Sequence, residues 1–464
     1  MINAADLKAG VAQSMWHPVA HPGAMRERPP RIFVGAEGVH LTDVDGCRVL
    51  DAVGGIWNVN LGYSCAPIKE AITRQLNELP YASPFNQASA PAIRLSEQLR
   101  LFFAADGLST AFFTAGGSDS VETALRLARQ YHRIRGESGR SKFISLKRGY
   151  HGSHFGGASV NGNAVFRQSY EPLLSGCVQI PVPYTYRNAF GERDPERLSS
   201  LCLDALEQEI VFQGAHTVAA FIMEPVLGAG GVIVPPTGFM AEAARLCRHY
   251  GVLFIADEVI TGFGRAGDWS GSRLFGVQPD LMCLAKAITN GYFPFGAVMI
   301  SPELDRTFSA APADTGFIGH GYTSSAHPVG AAAALVTLEE MSRLDLAKAA
   351  ATTGQHLLQG LRAIADGYPE VGDVRGAGLM LAVELVNNPA TASPMPAMQM
   401  QAIQDAAYRA GVLLRINGPN LILSPPLVIS ATEAEEILVA VEVALDEVLR
   451  GGTPGSTNLR KAVK

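Results

Sequence analysis

The feature that most limits the fold is a series of short, nearly continuous apolar runs in the middle of the chain. STAFFTA, KFISLK, CVQIPVP, HTVAAFIMEP, GVLFIADEV, DLMCLAK and AVMIS read as strands. A strand with one wet face alternates polar and apolar residues. One that is apolar at almost every position is buried on both faces, as in parallel sheets covered by helices. Helical stretches lie among these runs. In DSVETALRLARQYHRI, Val121, Leu125 and Ala128 recur at helical spacing; FMAEAARLCRHY and PVGAAAALVTLEEMSRL also read as helices. The pattern predicts an α/β block with a mainly parallel central sheet over residues 66–335.

The two ends read differently. Residues 31–50, RIFVGAEGVHLTDVDGCRVL, predict a strand, a tight Asp-Gly turn and a second strand. Near the other end LMLAVEL, NLILS and PLVIS are strand-like, with helices over 397–410 and 432–449. Residues 1–65 and 336–450 are therefore expected to form one smaller α+β domain from both chain ends. The last stretch, 451–464, is rich in Gly, Ser and Pro and is expected to be a mobile tail.

Composition narrows the function classes. With 464 residues, 47% of them hydrophobic, the chain can build a large core in about two domains. The net charge of −6 and the lack of a basic tract argue against a nucleic-acid partner. No apolar run is long enough to span a membrane, and the N-terminus has no signal-peptide pattern, so a cytoplasmic enzyme is expected. The six cysteines are scattered without a C-x-x-C pair, so neither a metal site nor a disulfide framework is expected.

Chemistry concentrates where the strands should end. Asp257 closes one apolar run, and Lys286 follows the next, Leu281 to Ala285. A carboxylate and an amine on neighbouring strand ends suit pyridoxal phosphate. That cofactor needs an amine for its aldehyde and a carboxylate for its ring nitrogen. Taken alone, the pair also fits a surface lysine and a helix-capping aspartate. Gly116, Gly117 and Ser118 lead from FFTA into a helix, whose N-terminal N–H groups could hold a phosphate or form an ordinary capped turn. Tyr150, followed by His151 and Gly152, could stack on a flat ring or fill the core. Glu224 also follows a buried strand, where a carboxylate must be paired or serve a site. HGYTSSAHP, residues 320–328, could hold a phosphate or be a polar loop. Their common position at strand ends favours one ligand site.

FFTAGGSDSVETALRLAR, GYHG, FIMEPVLGAGGVIVPP, LFIADEVITGFGRAG, LAKAITNG, HGYTSSAHPVGAAAA and LILSPPLVI occur in the order found in class III aminotransferases, which the chain resembles from about residue 30 to 445. The resemblance implies the aspartate-aminotransferase-like fold (fold type I) and pyridoxal 5'-phosphate as cofactor. It implies that Lys286 forms the Schiff base and that Asp257 pairs with the ring nitrogen. Val259 and Tyr150 would cover the two faces of the ring, and Glu224 would support the pocket. Gly117 and Ser118 would bind the phosphate, and Thr323 would reach the phosphate of a neighbouring subunit, which implies a homodimer or a pair of dimers.

Within the family the likeness is to ω-transaminases of the amine:pyruvate and β-alanine:pyruvate kind. DAVGGIWNVNLGY puts Trp57 over the substrate pocket, and LLRINGPNLILSPPL puts Arg415 where a mobile arginine meets a substrate carboxylate. Ala229 stands where γ-aminobutyrate and ornithine aminotransferases usually show Glu, which argues against those subfamilies. The substrates implied are an amine or ω-amino acid and a keto acid, pyruvate, used in a ping-pong cycle. A racemase or aminomutase on the same scaffold would use the same Lys and Asp. Three departures stand out. Val121 replaces the usual Asn of the glycine-serine turn, Leu227 replaces Gln, and Val19 replaces Phe in HPF, which predicts a smaller wall on one side of the pocket.

Overall fold

The structure is a computed structural model that describes residues 4–451. All but Gly451 of the tail expected at 451–464 lies outside the described residues.

The middle of the chain builds a seven-stranded sheet. Its strands are β1 (Thr110–Thr114), β2 (Lys142–Leu146), β3 (Cys177–Ile180), β4 (Val218–Met223), β5 (Leu253–Asp257), β6 (Leu281–Leu284) and β7 (Gly296–Ile300). The order across the sheet is β1-β7-β6-β5-β4-β2-β3. The pairs β6-β5, β5-β4, β4-β2 and β2-β3 are parallel, and β7 runs antiparallel to both of its neighbours, β6 and β1. Every residue of β4, β5, β6 and β7 is buried, as unbroken apolar runs require.

Helices cover both faces. The helix Gly117–Ile134 turns Val121, Ala124, Leu125 and Leu127 onto Ile255, Cys283 and Val298 of one face. The opposite face meets Leu206 and Met240 of two other helices through Phe221 and Phe254. Each fully buried Leu or Phe of these layers contributes roughly 1.5–3 kcal/mol. This is the α/β, fold-type-I architecture implied by the resemblance.

Parallel register decides where the chemistry goes. Met223 lies opposite Ala256, and Asp257 opposite Cys283, so the carboxyl ends of β4, β5 and β6 share one edge of the sheet. The residues at or just beyond these ends, and beyond the end of β2, are Glu224, Asp257, Lys286 and Tyr150.

The chain ends meet in one further sheet, and the C-terminal part builds another. Strands Phe33–Glu37, His40–Asp43 and Arg48–Asp51 form an antiparallel ribbon, and Val412–Leu413 joins it in parallel beside Arg48–Asp51. Val371–Ala377, Met380–Asn388, Asn420–Leu423 and Arg415–Asn417 form the second, with Ser393–Pro394 paired to Met380–Asn388.

Two local expectations are corrected. The first segment is three strands rather than two, because Gly38 takes φ +58 and makes an extra tight turn between Glu37 and His40. PLVIS is no strand. Pro425 and Pro426 offer no N–H to a ladder, and the segment is held instead by the Leu427 N–H donating to Asn60 O at 2.8 Å.

Candidate active site

The edge of the central sheet carries a cavity of about 150 Å³. Its walls include Gly117, Ser118, Tyr150, Glu224, Asp257, Val259 and Lys286. Seven of the ten predicted site residues thus meet in one place, drawn from five separate stretches of sequence.

Lys286 sits in a turn straight after β6. Its φ is +52, a left-handed conformation that costs a non-glycine residue about 1–2 kcal/mol. The surroundings impose it. Ser120 Oγ donates to Leu284 O at 3.0 Å, and the Gly291 N–H donates to Lys286 O at 3.3 Å. Asn290, also left-handed, bonds Leu61 N and Gly62 O at 2.7 and 2.8 Å. Burial lowers the proton affinity of the Lys286 amine; the Asp257 and Glu224 carboxylates oppose that, and the Arg415 charge adds to it.

Asp257 ends β5 and is 4% exposed. Its Oδ2 lies 2.8 Å from His151 Nδ1, and its Oδ1 accepts the Val259 N–H at 3.2 Å. His151 is itself buried, and the Asn161 side chain accepts its backbone N–H. Glu224 closes β4. It accepts the Tyr150 N–H and the Gly228 N–H, each at 2.9 Å. Burial outweighs those bonds and pushes its carboxyl up to about 7, with the His151 charge lowering it and Asp257 raising it. The floor of the cavity is therefore a linked set of buried acids with an amine beside them.

The other end of the cavity is a helix N-terminus. Gly117 and Ser118 begin the helix Gly117–Ile134, and Ser118 Oγ accepts the Ser153 N–H at 3.1 Å. A Cβ on Gly117 would stand 2.9 Å from Val259 Cγ1, so the turn has room only for glycine. Gly152, at φ +100, packs equally close to Ser118.

Three predicted residues do not line this cavity. Trp57 and Arg415 lie together: the guanidinium carbon is 4.7 Å from the centre of the Trp57 ring, within cation–π range. Among the described residues Arg415 has no carboxylate partner, though its charge is felt at Lys286. Thr323 is exposed, and its carbonyl accepts the Tyr81 hydroxyl at 3.0 Å. Of the departures, Val121 lines the cavity, whereas Leu227 is wholly buried in the apolar core. Val19 does not narrow or widen this cavity; it lines a second one that shares Gly152 with it.

Sequence reasoning missed the partner of Asp257. His151 stands beside Tyr150 in the chain, and a buried carboxylate needs a donor. Nothing local says that residues 106 positions apart touch. Asn417 was also missed. Its amide donates to Ala229 O and ties the Arg415 strand to the loop after Glu224.

The donor set fits pyridoxal phosphate. A poised amine, an oriented carboxylate and a glycine-serine helix start surround one small cavity, in the arrangement that its aldehyde, ring nitrogen and phosphate require.

Comparison with known proteins agrees. The family model for class III aminotransferases matches residues 23–445. The putrescine–pyruvate aminotransferase of Pseudomonas aeruginosa is 36% identical over 425 residues, covering 91% of this chain and 92% of that protein. The omega-aminotransferase of Caulobacter vibrioides is 36% identical over 445 residues, covering 96% and 99%. A solved amine transaminase from an uncultivated Pseudomonas species, in its PLP-bound internal aldimine form, is 44% identical with a TM-score of 0.92, over 95% of this chain and 99% of that one.

Proposed function

Because the chain belongs to the class III aminotransferases and is a pyridoxal-phosphate-dependent transaminase, we propose that it moves amino groups from a primary amine or ω-amino acid to pyruvate, in two ping-pong half-reactions. The observation that carries this reading is Arg415. A half-buried guanidinium whose charge reaches the amine, stacked on Trp57 and without a carboxylate of its own among the described residues, is a receptor for a substrate carboxylate. The names of two relatives support the substrate classes, putrescine with pyruvate in one and ω-amino groups in the other.

When bound, the cofactor supplies an aldehyde that takes up amino groups and a protonated ring that draws electrons from the substrate's reacting carbon. The protein supplies the rest. Lys286 would hold the cofactor, and its Nζ would accept the proton from the substrate carbon and return it one position away. Burial helps by keeping more of that amine neutral near pH 7. Asp257 would face the ring nitrogen, with His151 fixing the carboxylate's orientation. Gly117 and Ser118 would hold the phosphate at the helix start. Tyr150 and Val259 would flank the ring, and Glu224 would keep the Tyr150 backbone in position. Thr323, exposed on this chain, would complete the phosphate site of a second copy in a homodimer.

The test is a panel of amines, ω-amino acids (γ-aminobutyrate included) and diamines, scored by alanine formed from pyruvate. Turnover of several uncharged amines and ω-amino acids is the expected result. Failure with every donor, or activity only with an acceptor other than pyruvate, would overturn the reading.

A further inference from the structure

The strand that carries Arg415 is held from both sides. On one side Gln404 Nε2 donates to Leu414 O at 2.7 Å. On the other, the Asn417 side-chain amide donates to Ala229 O, in the loop that follows Glu224. Among the described residues this is the one hydrogen bond from Arg415–Asn417 to a part of the chain outside its own hairpin with Asn420–Leu423. Side chains two apart on a strand share a face, so the anchor and the guanidinium stand on the same side. Ile422, opposite Arg415 in the hairpin, belongs to the apolar cluster of Trp57, Val226 and Val232.

The hairpin tip is braced as well. Arg375 donates from Nε to Gly231 O and Val232 O, each at 3.1 Å, and from Nη2 to Asn420 Oδ1 at 2.7 Å. Asn420 passes the contact on, donating from Nδ2 to Asn417 O at 2.9 Å. Arg375 is itself fixed, with Nη1 2.8 Å from Asp373 Oδ2 and 3.1 Å from Glu384 Oε2. Gly231 lets the loop and the tip come this close. It holds φ +111, and a Cβ there would stand 3.0 Å from Asn420 Nδ2. The loop in turn is tied to the floor of the site. The Gly228 N–H donates to Glu224, and Gly228 O accepts the Gly231 and Val232 N–H groups, each at 3.1 Å. None of the bonds between loop and hairpin involves Lys286 or Asp257.

We infer that Asn417 is a positioning residue for substrate carboxylates. Its bond to Ala229 O, braced by Arg375 and Asn420, holds the Arg415 strand where the guanidinium meets a carboxylate, and it plays no part with uncharged amines. The inference deepens the transaminase reading above and rests on its assignment of Arg415. A two-pronged ion pair is directional, so a small shift of the strand weakens it. A neutral substrate has no such pair to lose.

The test compares the holoenzyme forms of wild type, Asn417→Ala, Arg415→Ala and the double variant. Half-reactions with β-alanine, with pyruvate and with a neutral arylalkyl amine are followed spectroscopically. In Asn417→Ala the concentration of β-alanine or pyruvate that half-saturates the rate should rise about three- to tenfold, with limiting rates changed by less than about twofold. The arylalkyl amine should change by less than about twofold on both counts. Adding Asn417→Ala to Arg415→Ala should cost the carboxylate substrates less than about twofold more, because the residue acts through the guanidinium. Asn417→Gln, which keeps an amide donor, should restore part of the loss. Arg375→Lys keeps a cation between Asp373 and Glu384 but loses the fork that reaches Gly231 and Asn420, and should give the same selective loss. Propionate, an unreactive carboxylate, gives a readout independent of turnover. Its binding to the holoenzyme, by calorimetric titration, should weaken about three- to tenfold in Asn417→Ala.

The inference falls if Asn417→Ala slows all three half-reactions alike or slows none. It falls equally if the effect persists in full on the Arg415→Ala background. If Arg415→Ala itself fails to separate carboxylate from neutral substrates, the reading of Arg415 fails and the inference goes with it. If no amine is turned over, the functional reading fails, and propionate binding alone decides on Asn417.

Discussion

The floor and the rim of the pocket are built on opposite plans. On the floor, Asp257 and Glu224 stand on the ends of adjacent parallel strands, and three of their four carboxylate oxygens have backbone partners while the fourth faces His151. On the rim, outside the lining of that cavity, Arg415 comes from a three-residue strand near the C-terminus and the buried Trp57 from a left-handed turn near the N-terminus. There the guanidinium has a ring beneath it and, among the described residues, no acid paired with it. A floor with every charge anchored can perform one proton transfer repeatedly. A rim with one unanchored charge can accept a carboxylate or do without it. Changes to the floor should therefore slow all substrates alike, and changes to the rim should separate them.

The largest effect is expected from Lys286→Ala. On the proposed mechanism neither half-reaction would then have a base, and turnover should drop by at least about a thousandfold for every donor. The purified variant should also lose the visible absorbance that a lysine-linked cofactor confers. Selective loss with one donor class only would break the division between floor and rim at its firmest point.

Asp257→Asn comes next. The ring nitrogen would lose its anionic partner, and His151 would face an amide. A loss of a few kcal/mol in a dry site corresponds to about a hundredfold or more in rate. Comparing kcat for a neutral amine and for β-alanine sharpens the contrast, because both should fall together. Near-normal turnover with cofactor bound would show that another acid serves the ring.

These two residues are legible in the amino-acid sequence alone, and the reason is physical. A strand buried on both faces announces itself by unbroken apolar composition, so LFIADEV and DLMCLAK tell both where the strands end and which residues stand there. The rim has no such signal. Arg415 and Trp57 lie in short segments with no period, and only the likeness to a family singles them out. The His151–Asp257 contact is invisible in the sequence because it depends on the register of two strands with a third between them. PLVIS misleads because its apolar residues pack inward, as in a strand, while its prolines prevent a ladder.

Arg415→Ala tests the rim itself. Half-reactions with pyruvate or β-alanine should slow by about tenfold to a hundredfold, the worth of a two-pronged ion pair in a partly buried site. The half-reaction with a neutral arylalkyl amine, followed spectroscopically without any keto acid, should change little. An equal fall in both would make Arg415 part of the framework, and no change in either would move carboxylate recognition elsewhere.

The smallest effect separates the two regions by stability rather than rate. Glu224 is held on the floor against its own desolvation, which raises its carboxyl from 4.5 to about 7. The folded protein thus binds a proton that the unfolded chain has already released between those pH values. Stability from this group is present below about pH 4.5, declines as pH rises, and has been lost by just above pH 7. The total is about 3 kcal/mol if the whole shift is expressed. Glu224→Gln removes the titration while leaving either Tyr150 N or Gly228 N without an acceptor. Cofactor-free Glu224→Gln should therefore be less stable than wild type at pH 5, and the gap should close or reverse at pH 8. Denaturant midpoints at the two pH values give the answer. Parallel pH slopes in the two proteins would mean that the Glu224 carboxyl ionises as freely as a surface acid. The floor would then carry no stored cost, and its rigidity would need another source.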